Sequence, residues 1–291
     1  MHARTRPHRS QEATPSGRLL GTTDVGEILS RLRDDPALRY DTGEEIMADV
    51  YKYLAANTAM SDWFTRLPKQ SCTPVPVPDF LAATIPAAFY YPPAADGSRP
   101  GMYFVNQHQP KTRSLYGTAA VTFHEAVPGH YLQLTIASEL DHLPQFQRQS
   151  FSNTAFVEGW GLYAEPLADE MGLYPDPLAR LRMLTSDSLR SCRLVVDTGL
   201  HSKGWTRQQA IDYMSAHAPI SLAEIEVEVD RYITMRGQAV AYKIGQNEIL
   251  RQRARTAERT RGSVRHQDIP RSRVERGAVS LPVLKELTAS V

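Results

Sequence analysis

A proline and a glycine set between two histidines constrain this chain more than any other feature. Residues 124–130 read HEAVPGH. The stretch opens like the zinc-peptidase pattern H-E-x-x-H, but the second histidine arrives two residues late. On an ideal α-helix, positions i and i+6 point about 120° apart around the axis. His124 and His130 therefore cannot share an ion on a regular helix. Pro128 lacks the N–H that would bond the carbonyl of His124, and Gly129 admits backbone angles that other residues avoid. Two readings stand side by side. The Pro-Gly pair deforms the chain and re-aims His130 toward His124, or it simply ends one helix so that His130 opens the next.

The surrounding pattern is helical with one extended interruption. From about Val25 to Leu67 apolar residues recur at helical spacing, among them Ile46, Val50, Tyr53, Leu54 and Trp63. CTPVPVPDF, from Cys72, carries too many prolines for a helix and reads as extended chain. Two aromatic-rich runs then flank a Pro/Asp/Gly/Ser loop, which predicts a hairpin with strands near 87–92 and 101–106. Helices follow: one from about Leu115 through HEAVPGH, one from Thr154 to Met171, one from Pro177 to Lys203, and one from Ala239 to Glu258. Gly172 and Gly204 stand where two of them stop, and Thr206 with Gln209 and Ser221 with Glu224 form two capping boxes. Residues 1–24 read as a disordered basic arm and 25–291 as a single domain, with an atypical charged segment over 259–279. No internal repeat is visible.

Composition excludes several classes of function. A net charge of +1 with 22% charged residues gives no reason to expect nucleic acid or an anionic membrane as partner. No apolar run approaches the ~18–20 residues of a membrane span, and the basic N-terminus lacks the apolar stretch of a secretory signal. Cys72 and Cys192 lie far apart and match no CxxC pattern, so thiols are expected rather than a disulfide, and the cytoplasm is the expected compartment. There is no G-x-S-x-G and no glycine-rich phosphate loop.

Three further stretches carry candidate chemistry. FVEGWGLYAE puts Glu158 on a predicted helix, 28 residues after His130. A glutamate on a following helix is how many zinc peptidases complete a two-histidine site while leaving a position open. Glu158, Gly161, Leu162 and Glu165 form one stripe of that helix, and a carboxylate on a buried face is costly unless paired or metal-bound. An ordinary amphipathic helix with boundary glutamates accounts for the same pattern. In RLVVDTGLHSKGW, Arg193, Asp197 and His201 recur at four-residue spacing. Asp197 then either pairs with Arg193 and orients His201 toward an oxyanion, or forms a plain i,i+4 ion pair. GQAVAYKIG holds Tyr242, either an electrophilic hydroxyl or a core tyrosine.

Taken in order, FHEAVPGHYLQ, FVEGWGLYAEPLADEMGLY, RLVVDTGLHSKGW and GQAVAYKIG resemble the bacterial family called domain of unknown function 885, over about residues 30–250. Its members are regarded as zincin-like metallopeptidases, distantly similar to the thimet oligopeptidase and carboxypeptidase Taq groups. The resemblance implies a mainly α, zincin-like fold with a small β-hairpin beside the active-site helix. It implies one zinc ion held by His124, His130 and Glu158, and a peptide or small amide substrate. Glu125 would be the general base toward a metal-activated water, with His201 and Tyr242 steadying the oxyanion. Arg193, Tyr103 and Asn106 are the candidate substrate-binding residues, the last two on the hairpin, whose edge could hold an extended substrate by strand addition. The chain departs from the family in length, resembling only the C-terminal half of members about twice as long. It departs too at SVRHQDIPRSRVERGA, where relatives have a Phe-His-containing helix, and at Arg236, where they have proline. A catalytically silent remnant or binding protein on the same metal-binding scaffold is the alternative, and a metal-free helical interaction domain a third.

Overall fold

Pro74 and Pro76 cannot donate to a strand ladder, so the segment that carries them belongs at a sheet edge. The computed structural model puts it there. It describes residues 21–289 apart from 23, 56–59, 150–152, 175 and 260–275. The expected N-terminal arm thus lies almost wholly outside the described residues, as does most of segment 259–279. Strand β1 (Cys72–Pro76) runs parallel to β3 (Gly101–Val105), and β2 (Ala88–Tyr91) pairs antiparallel to β3 with Tyr90 opposite Tyr103. The order is β1-β3-β2. The expected hairpin is therefore two thirds of a three-stranded sheet, and β3 is its centre.

The rest of the described chain is helical, and the protein is mainly α. Its longer helices are α1 (Val25–Asp34), α2 (Gly43–Leu54), α3 (Gly117–Glu125), α4 (His130–Ser138), α5 (Thr154–Glu170), α6 (Pro177–Ser202), α7 (Arg207–His217), α8 (Leu222–Thr234), α9 (Gln238–Arg259) and α10 (Leu281–Ala289). Both expected capping boxes form, at the starts of α7 and α8. Gly172 and Gly204 take φ of +72° and +68° just beyond α5 and α6, the left-handed angles that glycine accepts freely.

Two apolar clusters order these elements. The larger gathers Tyr90 and Tyr103 from the sheet, Leu132 and Ile136 from α4, and Trp160, Tyr163 and Leu167 from α5. The other packs Val196, Ile211, Met214, Ile225, Val229 and Tyr232 between α6, α7 and α8. Helices α5 and α9 meet backbone to backbone. A Cβ on Gly159 would lie 2.5 Å from Gly245 Cα, and one on Gly245 would lie 2.0 Å from the Ala155 carbonyl oxygen. Inside α5, Pro166 has no N–H for the Leu162 carbonyl, and Gln246 of α9 donates to that oxygen instead at 3.0 Å. Lys243 of α9 pairs with Asp187 of α6 beneath the same interface. Cys72 and Cys192 form no disulfide. No helix among the described residues is long and apolar enough to cross a membrane.

Candidate active site

Helix α3 stops at Glu125 and α4 starts at His130, so the Pro-Gly pair does end one helix and open another. It also brings the histidines together. The rings meet edge-on, with centroids 4.7 Å apart and planes at 85°. The two readings of HEAVPGH are thus not exclusive: the turn between two short helices is what removes the 120° offset of a regular one. Gly129 is obligatory there, because a Cβ would stand 1.8 Å from the His124 carbonyl oxygen. The Val127–Pro128 peptide is cis. From α5, the Trp160 indole N–H donates to the Pro128 and Gly129 carbonyls at 2.9 and 3.2 Å, tying the turn to the next helix.

The same helix delivers a carboxylate. Glu158 Oε2 lies 3.5 Å from His124 Nε2 and 3.4 Å from His130 Nε2. These distances are long for hydrogen bonds. They match the ~3.3–3.4 Å between corners of a tetrahedron whose centre is ~2.0–2.1 Å from each ligand atom. One turn on from Glu158, Gly161 leaves the space that the rings fill. A Cβ there would stand 2.6 Å from His124 Nε2 and 2.7 Å from His130 Cε1. Two nitrogens and one oxygen therefore converge in a cradle kept open by a missing side chain, a donor set suited to a divalent cation.

Outer contacts hold these groups in place. Glu165, two turns beyond Glu158 on α5, puts Oε1 2.9 Å from His124 Nδ1, with both side chains buried. With Nδ1 engaged by Glu165, Nε2 is the nitrogen of His124 that faces Glu158. Gln238 Nε2, at the start of α9, donates to Glu158 Oε1 and to the Tyr242 hydroxyl, each at 3.2 Å. Burial opposes charge on His124, but Glu158 and Glu165 outweigh it and push the imidazole up to about 9. Burial likewise opposes the Glu158 carboxylate, yet His124 and His130 hold it below the usual carboxylate range. Burial raises Glu125. Three carboxylates around two imidazoles leave a site that needs positive charge.

The remaining expected residues divide. Glu125 stands beside the donor set, and its Oε2 accepts the Tyr90 N–H at 2.9 Å from the open edge of β2. Ligand-capable atoms of His124, Glu125 and His130 also lie within 4.8 Å of one another. Glu158 is the better third donor, since one oxygen faces both Nε2 atoms at shorter range. Tyr242 stacks on His124, centroids 6.1 Å apart, and burial pushes its phenol up to about 12. Arg193 lies 4.6 Å from the centre of the Tyr242 ring; its Nη2 donates to Glu228 at 2.7 Å and its Nε to the Tyr232 hydroxyl at 2.9 Å, while Nη1 is buried without a partner.

The expected chain from Arg193 through Asp197 to His201 does not form. Asp197 accepts the Gly237 N–H at 3.1 Å, and exposed His201 sits 2.9 Å from the Tyr232 carbonyl oxygen. Each of the three finds a partner on α8 or the α8–α9 turn rather than on its own helix. His201 lies eight residues past Arg193, about 12 Å further along α6. Tyr103 and Asn106 are each 1% exposed. Tyr103 reaches Thr122 Oγ1 at 3.2 Å, and Asn106 donates to the Ala82 and Ile85 carbonyls at 2.8 and 2.9 Å. They belong to the central strand and its exit, covered on both sides, whereas the edge beside Glu125 is that of β2. Sequence reasoning missed the roles of Glu165, Gln238 and Trp160. Glu165 was visible in the acidic stripe of α5, but nothing local marked the other two.

Comparison with known proteins extends this picture. Two solved structures, each described as a "putative lipoprotein", share the fold. The one from Colwellia psychrerythraea superposes with a TM-score of 0.93 at 32% identity, over 98% of this chain and 50% of that one. The one from Shewanella oneidensis, of unknown function, gives 0.82 at 20% identity, over 98% and 54%, a likeness of fold alone. The chain spans about half the length of both. No curated protein matches it. The model of the family described as bacterial protein of unknown function (DUF885) matches residues 3–287. Since that match takes in almost the whole chain, the HEAVPGH site included, the protein belongs to the DUF885 family.

Proposed function

We propose that this chain is a zinc-dependent peptidase or amide hydrolase built on a zincin-like scaffold. The convergence of His124 Nε2, His130 Nε2 and Glu158 Oε2, at 3.4–3.5 Å across the carboxylate–imidazole gaps, carries the reading. These three residues hold the ion and leave a position for substrate. When bound, zinc supplies a Lewis acid for the carbonyl and makes water acidic enough to lose its proton near neutral pH. Glu125 takes that proton and returns it to the leaving amine. Tyr242 offers its hydroxyl to the oxygen on which charge develops. The free edge of β2 aligns an extended chain beside Glu125. Tyr103, Asn106 and His201 make polar contacts within the chain, whereas Arg193 keeps Nη1 buried without a hydrogen-bond partner beside Tyr242.

Metal analysis of purified wild type and His130→Ala is the first test. Near-stoichiometric zinc in wild type, lost in the variant, is expected. Zinc-loaded Glu125→Gln should keep the metal and lose about 10²–10⁴-fold in peptide turnover. No metal in wild type after reconstitution would sink the reading. A second reading is a metal-holding binding protein on the same scaffold. It predicts zinc in wild type with no turnover dependent on Glu125. The compartment is a separate matter: two cysteines without a disulfide favour the cytoplasm, and the lipoprotein description of the relatives favours an envelope. Cell fractionation decides between them.

A further inference from the structure

A cavity of about 60 Å³ lies among α2, α3 and the sheet. Gly117, Thr118 and Val121 line it from α3, and Ala88 lines it from β2. At 100° per residue, these three α3 positions share a sector of roughly 100° with Glu125. Ala88 is two residues from Tyr90, whose N–H binds Glu125. The cavity therefore lies on the catalytic face of the helix, displaced toward its N-terminus by one to two turns, about 6–12 Å.

Its charged lining is unbalanced. Arg113, Arg182 and Glu224 face it. Glu224 Oε2 is already bound by the Ser221 backbone N–H and hydroxyl, at 3.1 and 2.9 Å. Among the described residues, neither arginine has a carboxylate within ion-pair distance; Glu224 attracts Arg113 from further off, and the Arg182 guanidinium lies 5.8 Å from the centre of the Tyr116 ring. Arg113 gives only its Nε, to the His108 carbonyl at 3.3 Å. Arg182 Nε is buried with no acceptor, and the guanidinium lies over the first turn of α3, its Nε 3.5 Å from where a Cβ on Gly117 would be. Both arginines are half-buried, with Arg182 Nε itself buried and unpaired; a buried donor without an acceptor is costly, and a carboxylate is the planar group that guanidinium donors match. The positive end of α3 points the same way, and Tyr116 at its N-cap makes no side-chain cap. At ~10–15 Å³ per water-sized probe, the volume suits a carboxylate and little more.

We propose that this cavity seats the C-terminal carboxylate of the substrate, so that the protein cuts short fragments from carboxyl ends. The fragment length follows from geometry: 6–12 Å is about two to three residues of extended chain. The identity of the ligand rests on the peptidase reading; the carboxylate seat itself does not.

The test is binding of penta-alanine and of its C-terminal amide to full-length Glu125→Gln protein, by calorimetry. The free acid should bind about 10- to 100-fold tighter, the range for loss of charged hydrogen bonds. Arg182→Met and Arg113→Met should each abolish the preference, and Arg182→Lys should keep part of it, with circular dichroism checking that each variant is folded. Equal affinity for acid and amide, binding of neither, or a preference that survives both methionine variants would overturn the seat. Turnover reports on the other reading independently. Wild type that prefers the acid yet cleaves nothing defeats the peptidase, and wild type that cleaves acid and amide equally defeats the seat.

Discussion

Glu165 reaches His124 Nδ1 from the helix that also supplies Glu158, and this contact fixes the orientation of the imidazole proposed as a ligand. A carboxylate behind a metal-binding histidine fixes its tautomer and raises its basicity, and losing such a partner costs about 10- to 100-fold in metal affinity. Glu165→Ala should therefore weaken zinc binding by that factor in competition with a chromophoric chelator. Glu165→Gln keeps a hydrogen-bond acceptor without the charge and should fall between. If both bind zinc like wild type, Glu165 does not set the ring. Arg193 sits beside Tyr242 and shares the Glu228 carboxylate with Arg231, with Nη1 left buried and unpartnered.

At the scale of elements, glycine decides how closely helices approach. Gly161 leaves room for both imidazoles, and Gly159 and Gly245 let α5 and α9 touch through their backbones. The two places differ in what an added methyl would meet. At Gly161 it meets rings that can rotate, so Gly161→Ala should retain helical circular dichroism while zinc stoichiometry collapses. At Gly245 it meets the Ala155 carbonyl oxygen, which can move only with the helix. Gly245→Ala should cost about 1–3 kcal/mol or more, the usual range for overpacking, read from urea midpoints. An unchanged midpoint would mean that α5 and α9 slide apart freely.

Across the whole molecule, the two apolar clusters are joined by polar groups that end at the site. Arg193 of α6 and Arg231 of α8 both bind Glu228, at 2.7 and 2.9 Å; Arg231 also binds Gln238, at 2.7 Å, and Gln238 holds Glu158. Burial by itself would raise the Glu228 carboxyl, but Arg193 and Arg231 outweigh it and hold it below the usual range. Because the folded value lies below the unfolded one, the carboxylate stabilises the fold above about pH 4.3 and loses that contribution as pH falls further. Glu228→Gln should be about 3–5 kcal/mol less stable at pH 7, as when one partner of a buried ion pair is removed. Its stability should also fall less steeply than that of wild type between pH 5 and 3. Denaturant midpoints across that range check both, and parallel acid limbs would remove Glu228 from the account.

Much of the fold was legible because it depends on neighbours a few residues apart. Pro74 and Pro76 excluded a helix, Gly172 and Gly204 marked helix ends, and Thr206 and Ser221 opened helices with Gln209 and Glu224 as capping partners. His124, Glu125, His130 and Glu158 were singled out by two short motifs together with the family resemblance, and the fold brings them together. What the local pattern could not decide was which distant groups meet. Glu165 lies 41 positions from His124, Gln238 lies 80 from Glu158, and Tyr90 lies 35 from Glu125. Likewise Asp197 turned to Gly237 and His201 to Tyr232, leaving the i,i+4 partners that spacing suggested. Spacing along one helix tells which residues share a face. Only the packing of helices, governed here by the Gly159–Gly245 approach and the turn at Pro128–Gly129, determines what that face meets.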